Sequence, residues 1–355
     1  MMSISIIIPV YNVAPYIRRC LESVMSQDAV EADVECILVD DCGQDDSMEI
    51  ARKVIADYQG SVRFVVVAHD RNRGLSAVRN TGLEHATGDY VLFVDSDDHL
   101  RPKSLKYMCD QLKQYPEADI VQGNVLQHHN NCVMIHGISE PWLITNPDVF
   151  FTKVLRQQIY LYAWNKLIRR SLLMDNHIRF IEGIIYEDQA WSYQLYGCCS
   201  SVLLLPEITY DYEDIPQSII HTAYSSGKAE QTLYSFVASA RLMMDNPPDS
   251  HLYQRNMAVD YLLFMIHVLM NGADVLLQAP VSNAVANEYR KVRRQLLMRS
   301  LRWGRLLVAC FCLLLYNPFT RLQRWHFFRS YYYTFESIVN RIAHLTDFLH
   351  NRHRL

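Results

Sequence analysis

The stretch Gly88-Asp89-Tyr90-Val91-Leu92-Phe93-Val94-Asp95-Ser96-Asp97-Asp98 holds an unbroken apolar run that ends in three carboxylates. A short apolar run bracketed by turn residues predicts a strand over Tyr90–Asp95. Burial on both faces, as in a parallel sheet covered by helices, explains why it does not alternate with polar residues. Ligands of open α/β sheets bind beyond the carboxyl ends of the strands. Asp95, Asp97 and Asp98 therefore stand where such a fold would place its chemistry.

The same pattern recurs on either side. Strands are predicted over Ile4–Val10, Glu35–Asp40, Val62–Ala68 and Ile120–Leu126, with helices over Ala14–Ser26, Asp46–Tyr58, Leu75–Ala86 and Pro102–Gln114. Short β-branched runs alternating with helical stretches mark βαβ units. The expected fold is α/β, a Rossmann-like, mostly parallel sheet flanked by helices. Residues 127–225 are mixed and rich in aromatics. From about Gly227 the pattern is helical, over Ala229–Asp245, His251–Leu277, Asn283–Tyr316 and Arg321–His350, with breaks at Pro247-Pro248 and Asn317-Pro318. One domain over 1–225, with halves 1–126 and 127–225, and a helical region over 226–355 follow from this.

A hydrophobic fraction of 50% with 20% charged residues excludes a disordered or fibrous chain. The net charge of -4 averages two unlike parts: from Arg290 onward 13 Lys and Arg face only Glu336 and Asp347, a net +11. Such one-sided charge points to an anionic surface engaged by that end. Tyr289, Val292, Leu296, Leu297 and Leu301 fall at helical spacing among Arg290, Arg293, Arg294, Arg299, Arg302 and Arg305. That helix either lies on a membrane surface, as the aromatics further on favour, or packs its apolar stripe on the domain over 1–225. Nucleic acid finds no other support in the chain. The longest apolar run, Leu306–Tyr316, is shorter than the roughly 17–25 residues of a membrane span. The first residues lack a basic n-region and read as a strand, not a signal peptide. Nine scattered cysteines without zinc spacing read as reduced thiols. The expected location is cytoplasmic, peripheral at the inner face of the membrane.

Asp40 and Asp41 close the second strand. With Asp95, Asp97 and Asp98 they would repel one another unless a cation or hydrogen-bond donors sat among them. Mg2+ or Mn2+, with hard oxygen ligands, fits. Asp45 and Asp46 serve equally well at a helix N-terminus. Gly74 before an apolar-periodic run reads as a loop entering a helix, either a phosphate site made by its free N–H groups or simply a surface helix. Arg79, one turn further in, suits phosphate or the orientation of carboxylates.

Four segments occur in order: Ile6-Ile7-Ile8-Pro9-Val10-Tyr11-Asn12, Val39-Asp40-Asp41, Asn72-x-Gly74-Leu75-Ser76-x-x-Arg79-Asn80-x-Gly82, and Gly88 through Asp98. Together they resemble the family 2 glycosyltransferases of bacterial polysaccharide type, with a GT-A fold. The resemblance continues through Trp164-Asn165-Lys166-Leu167 and Glu182-Gly183-x-x-Tyr186-Glu187-Asp188, so it covers roughly residues 4–220. It implies a metal-dependent, inverting transfer of a sugar from a nucleotide-sugar, UDP-linked, to a hydroxyl of a glycan or lipid-linked glycan. Pro9, Val10, Tyr11, Asp40 and Asp41 would hold the base and ribose, with Asn72, Gly74 and Arg79 also on the donor side. Asp95-Ser96-Asp97-Asp98 is similar to the DXD motif, which implies Asp98 as metal ligand with Asp97 as neighbour and ribose contact. Glu187 and Asp188 match the acidic pair that supplies the catalytic base, here Asp188. The other reading of Asp188 is an acid capping a helix over Gln189–Tyr196.

Cys42-Gly43 departs from the Gly-Ser commoner in the family. Tyr160, Tyr162, Trp164 and Trp191 either stack on an acceptor sugar or fill the core; Trp164, Lys166 and Trp191 are the acceptor-side candidates. His128, His129 and His221 lack ligand spacing and read as surface or core residues. Two other functions compete: a nucleotide-sugar-binding protein without transfer, and a sugar-phosphate nucleotidyltransferase. The latter would want a Gly-rich loop after the first strand, where this chain has Pro9-Val10-Tyr11-Asn12.

Overall fold

A computed structural model describes residues 2–27, 30–135, 137–146, 149–150, 153–154, 158–213, 215, 228–246 and 281–302. The predicted strands and helices of the first third are present as β1 (Met2–Val10), α1 (Ile17–Met25), β2 (Ala32–Asp40), α2 (Ser47–Asp57), β3 (Arg63–Ala68), α3 (Leu75–His85), β4 (Tyr90–Phe93) and α4 (Ser104–Gln114). A two-residue strand, β5 (His99–Leu100), separates β4 from α4, and β6 (Ile120–Gln127) follows. The next strands are β7 (Cys132–Val133), β8 (Trp142–Ile144), β9 (Lys166–Arg169) and β10 (Val202–Tyr212). The remaining helices are α5 (Arg170–Asp175), α6 (Glu187–Cys198), α7 (Ala229–Asp245) and α8 (Asn283–Arg302).

The strands form one mixed sheet in the order β3-β2-β1-β4-β9-β6-β10-β5, with β7 beside β6 and β8 beside β10. β1, β2, β3 and β4 run parallel, as does the β6–β10 pair. β9 enters antiparallel between β4 and β6. Like β5, β7, β8 and β10 it lies outside the strands expected from the apolar pattern, and Lys166 and Arg169 interrupt it. β10 is a long strand with Pro206 inside it, and its register against β6 shifts between Leu204 and Ile208. Proline removes a ladder donor, so the strand accommodates it at an irregularity.

β1 shows how both faces are filled. Ile4, Ile6, Ile8 and Val10 pack toward Ile17, Leu21 and Val24 of α1 and Ala51 of α2, while Ile7 packs on the other face with Val78 and Leu83 of α3. α3 lies close on that face: a Cβ at Gly82 would sit 2.3 Å from Ile7 Cγ2, so glycine is what permits the approach.

The same face continues into Trp191 and Tyr196 of α6, Leu233 and Phe236 of α7, and Tyr289 and Val292 of α8. The Tyr193 hydroxyl donates to the Met243 and Asn246 carbonyls, joining α6 to α7. The first half of the basic helix thus takes the packing alternative: Ala286, Tyr289, Val292 and even Arg293 are buried. The helices expected over His251–Leu277 and Arg321–His350, and most of the basic tail, lie outside the described residues. Among the described residues no helix is long and apolar enough to cross a membrane.

Candidate active site

The carboxyl ends of the parallel strands come together. Val10 pairs with Asp40, Ile7 with Phe93, and the Val94 N–H donates to the Ile7 carbonyl at 3.0 Å. The acids at 40–41 and 95–98 therefore share one rim of the sheet.

At its centre is Arg79, whose side chain is 1% exposed. Its Nη1 donates to Glu187 Oε1 at 2.7 Å and to Asp188 Oδ1 at 2.9 Å, and its Nη2 donates to Asp95 Oδ1 at 2.8 Å. Its guanidinium carbon also sits 5.3 Å from the centre of the Phe180 ring. Of its two possible roles, orientation of carboxylates is the one the geometry gives. Burial works against its charge, but Asp95, Asp188 and Glu187 outweigh it and hold the guanidinium protonated. Burial pushes Asp188 up to about 7, against Arg79 and together with the Glu187 and Asp95 carboxylates. Burial likewise raises Glu187. Both acids lie in the first turn of α6, after a left-handed Tyr186 at φ 59°. Asp188 forms no cap there; its carboxylate goes to Arg79, so the capping alternative does not describe it.

In the strand-end motif the three acids differ. Asp98 is 1% exposed and both its oxygens are occupied, Oδ2 by the Tyr210 hydroxyl and Oδ1 by the Glu213 N–H, each at 2.8 Å. Burial, then the Asp97 and Asp95 charges, raise it well above the usual carboxylate range. Asp97 is raised to about 6, chiefly by burial and then by Asp95; among the described residues its carboxylate meets no side-chain donor. Ser96 is buried between them. One ligand oxygen from each of Asp95, Asp97 and Asp98 falls within 4.8 Å of the others. Hard oxygen donors that disfavour one another's ionisation fit a divalent cation, which would relieve the repulsion.

On the donor side, Tyr11 is 45% exposed at the end of β1 while Val10 is buried. Asp40 accepts from the Cys42 N–H at 3.0 Å. Asp41 is 2% exposed and turned into the protein. It accepts from the N–H groups of Arg73 and Gly74, each at 2.8 Å, and pairs with His69 Nδ1 at 2.7 Å. Its visible role is to hold the loop that carries exposed Asn72 into α3, and Gly74 (φ 85°) supplies the left-handed turn there. Cys42 also has a left-handed φ of 60°, a conformation that strains a side chain and that the glycine expected from the resemblance would adopt freely.

The acceptor-side candidates are placed differently from expectation. Trp191 and Lys166 are 0% exposed and Trp164 is 4% exposed. Trp191 stacks on Phe180 at 4.7 Å inside the core, so it presents no face to an acceptor. The Lys166 ammonium donates to the Tyr162 carbonyl and sits 4.6 Å from the Tyr160 ring centre. Burial lowers its pKa to about 7. Of the four aromatics only Tyr162, at 36%, is exposed.

Sequence reasoning missed three contributors: His69, Tyr210 and Glu213. Each reaches its acid from a different strand or loop, and no local motif announces them. A second cluster of metal-ligand type, His99, His128 and Asp211, has ligand atoms within 4.8 Å of one another. His128 Nε2 lies 2.7 Å from Asp211 Oδ1, and Arg101 Nε donates to Asp211 Oδ2 at 3.0 Å. The arginine already balances that carboxylate.

The mixed, mostly parallel sheet flanked by helices has the GT-A architecture, and its strand-end acids share one buried arginine with an acidic pair on a later helix. Residues 5–175, just under half of the chain, match the family model described as Glycosyl transferase family 2, and that segment belongs to the family. It is 30% identical over 234 residues to the uncharacterized glycosyltransferase EpsJ of Bacillus subtilis, covering 64% of this chain and 65% of that one. It is also 30% identical over 222 residues to the poly(ribitol-phosphate) beta-N-acetylglucosaminyltransferase TarS of Staphylococcus aureus, covering 60% of this chain and 35% of TarS. The chain thus spans just under two thirds of EpsJ and about a third of TarS. The fold agrees with the crystal structure of S. aureus TarS 1-349 in complex with UDP-GlcNAc, at a TM-score of 0.65 and 22% identity over 83% of this chain and 81% of that one. It agrees too with the mannosyltransferase PcManGT of Pyrobaculum calidifontis in complex with GDP-Man and Mn2+, at a TM-score of 0.51 and 16% identity over 88% and 84% of the two chains.

Proposed function

We propose that the protein is an inverting, divalent-cation-dependent transferase. It moves a sugar from a UDP-linked donor to a hydroxyl of a glycan or lipid-linked glycan in cell-surface polysaccharide synthesis. One observation carries this reading: Arg79 joins Asp95 of the strand-end motif to Glu187 and Asp188 of α6 in a single hydrogen-bonded unit. Donor-side acids and base are thereby fixed relative to each other before any substrate binds. The UDP-GlcNAc bound to TarS supports a UDP-sugar donor, and the poly(ribitol-phosphate) in that enzyme's name supports a polymer as acceptor, though not the chemistry of its units.

Asp188 is the more open of the acidic pair, its side chain 19% exposed against 5% for Glu187. It accepts the proton of the attacking hydroxyl. A carboxyl titrating at about 7 is matched to that task near neutral pH. With Asp188 as base and Asp95, Asp97 and Asp98 given to the cation, the displacement is single and inverts the anomeric centre. Asp97, with Asp95 and Asp98, would hold the cation, which when bound offsets charge on the leaving diphosphate. Tyr11 and Asp40 face the base and ribose, and the Asp41-held loop presents the N-terminus of α3 to the phosphates. The basic segment beyond Arg302 holds the enzyme peripherally at an anionic inner membrane face.

The test is nucleoside diphosphate release from UDP-glucose, UDP-galactose, UDP-GlcNAc and GDP-mannose, each with Mn2+, Mg2+ or EDTA. Release from a UDP-sugar that stops in EDTA is expected. Undiminished release in EDTA would remove the cation from the scheme, and no release from any donor would sink the transferase reading.

A further inference from the structure

The donor chemistry leaves one feature of the site unused, a stack of aromatic rings running from the acidic motif to the surface. Trp164 stacks on Tyr210 with ring centres 4.8 Å apart and planes 9° apart, and on Tyr162 at 4.8 Å and 5°. The inner end is fixed by chemistry: the Tyr210 hydroxyl donates to Asp98 Oδ2 at 2.8 Å and accepts from the Asp95 N–H at 3.1 Å. The outer end is open, since Tyr210 is 0%, Trp164 4% and Tyr162 36% exposed. The backbone under Tyr162 is held from two sides, by the Lys166 ammonium on its own carbonyl and by the Ser192 hydroxyl on the Leu161 carbonyl at 2.6 Å. Asp188 is near enough for its charge to act on the Tyr162 hydroxyl.

Tyr162 thus combines partial exposure with an orientation fixed by stacking on Trp164. One side of the ring lies on Trp164, so the exposure belongs to the remainder. We infer that Tyr162 is the acceptor platform, on which the ring of the acceptor's terminal sugar lies by its apolar C–H face. The acceptor is accordingly a cyclic saccharide and not an open-chain alditol phosphate. This deepens the function proposed above and rests on Asp188 as its base.

Two physical arguments separate the acceptor classes. A pyranose brings a rigid, flat C–H face whose burial on an ordered ring costs little conformational entropy, whereas an alditol chain must give up its rotamers to lie flat. An alditol phosphate would also add negative charge, beyond that of the donor's diphosphate, beside Glu187 and Asp188, which already share one guanidinium with Asp95.

The test is saturation-transfer NMR on the full chain with UDP present, using methyl β-D-glucopyranoside, methyl β-D-galactopyranoside and ribitol 5-phosphate as probes. At least one pyranoside should bind with saturation concentrated on the axial C–H hydrogens of one face. Tyr162→Leu should weaken it by about fivefold to tenfold and Tyr162→Phe by less than about twofold, the scale of one aromatic contact. Equal binding by Tyr162→Leu, no pyranoside binding, or tighter binding of ribitol 5-phosphate would each overturn the proposal. Epitope mapping on the unaltered chain decides the matter even if a variant folds poorly. Binding needs no turnover, so the outcome is separate from that of the donor assay.

Discussion

Arg79→Lys puts the central arrangement to a quantitative test. Arg79 makes three charge-assisted hydrogen bonds, at 2.7, 2.9 and 2.8 Å, from two nitrogens of a fully buried fork. A lysine ammonium is a single point charge without a fork and cannot span from Asp95 to α6. Two of the three bonds are lost, and at roughly 1.5–3 kcal/mol each the variant should be about 3–6 kcal/mol less stable. That is a large share of the ~5–15 kcal/mol that holds an ordinary domain together. The deficit depends on pH with a definite sign. Burial already raises Glu187, and raises Asp188 to about 7; weakening the arginine raises both further. A carboxyl with a raised folded-state pKa contributes fully below its unfolded value and loses that contribution as pH rises through the folded value. The deficit should be smallest near about pH 4 and largest above about pH 8. Urea unfolding followed by tryptophan fluorescence measures it. A variant within about 1 kcal/mol of the parent at pH 8, or a deficit equal at both ends, would refute the reasoning.

Asp188→Asn preserves shape and the Arg79 contact but cannot take a proton; kcat should fall by about 10²–10⁴-fold. The acid limb of the kcat/KM profile, expected at about 7 from the raised carboxyl, should disappear; unchanged turnover would sink the base assignment. Asp97→Asn should raise the Mn2+ concentration for half activity by about tenfold or more, whereas Asp98→Asn, whose oxygens serve Tyr210 and Glu213, should chiefly lower the melting temperature. The opposite pattern in a metal titration would make Asp98 the main ligand. Truncation after Arg302 keeps Tyr289 and Val292 in the core and should leave the melting temperature within about 2 °C. Flotation with anionic liposomes should be lost; equal flotation of both forms counts against membrane attachment.

Local pattern made much of the catalytic half legible. A strand such as Tyr90–Phe93 and the acids behind it are neighbours in sequence, so one apolar run locates both the element and its functional end. α3 likewise follows from Gly74 and the period after it. What resisted reading were directions and partners. Trp191 and Lys166 carry side chains that suit a sugar, but an aromatic at helical spacing does not say which face it turns, and both are wholly buried. Asp41 looks like a ligand contact and is consumed by His69, Arg73 and Gly74. Tyr210 comes from a strand whose proline hides it and whose link to Asp98 spans more than a hundred residues. Antiparallel insertion of β9 escaped for a similar reason: its pairing to β4 and β6, not its own composition, makes it a strand.

α8 leans on α7, and α7 on the helix that begins with Glu187 and Asp188. Twenty residues of α8 make a rod about 30 Å long. Any attachment made beyond Arg302 would therefore act through a stiff mast that reaches the helix of the base by way of α7. The height of the reaction centre above whatever holds the tail would be set by the length of that mast. Lengthening or shortening α8 by whole turns would raise or lower the catalytic end in steps of about 5.4 Å, so reach and rotation become properties of one helix.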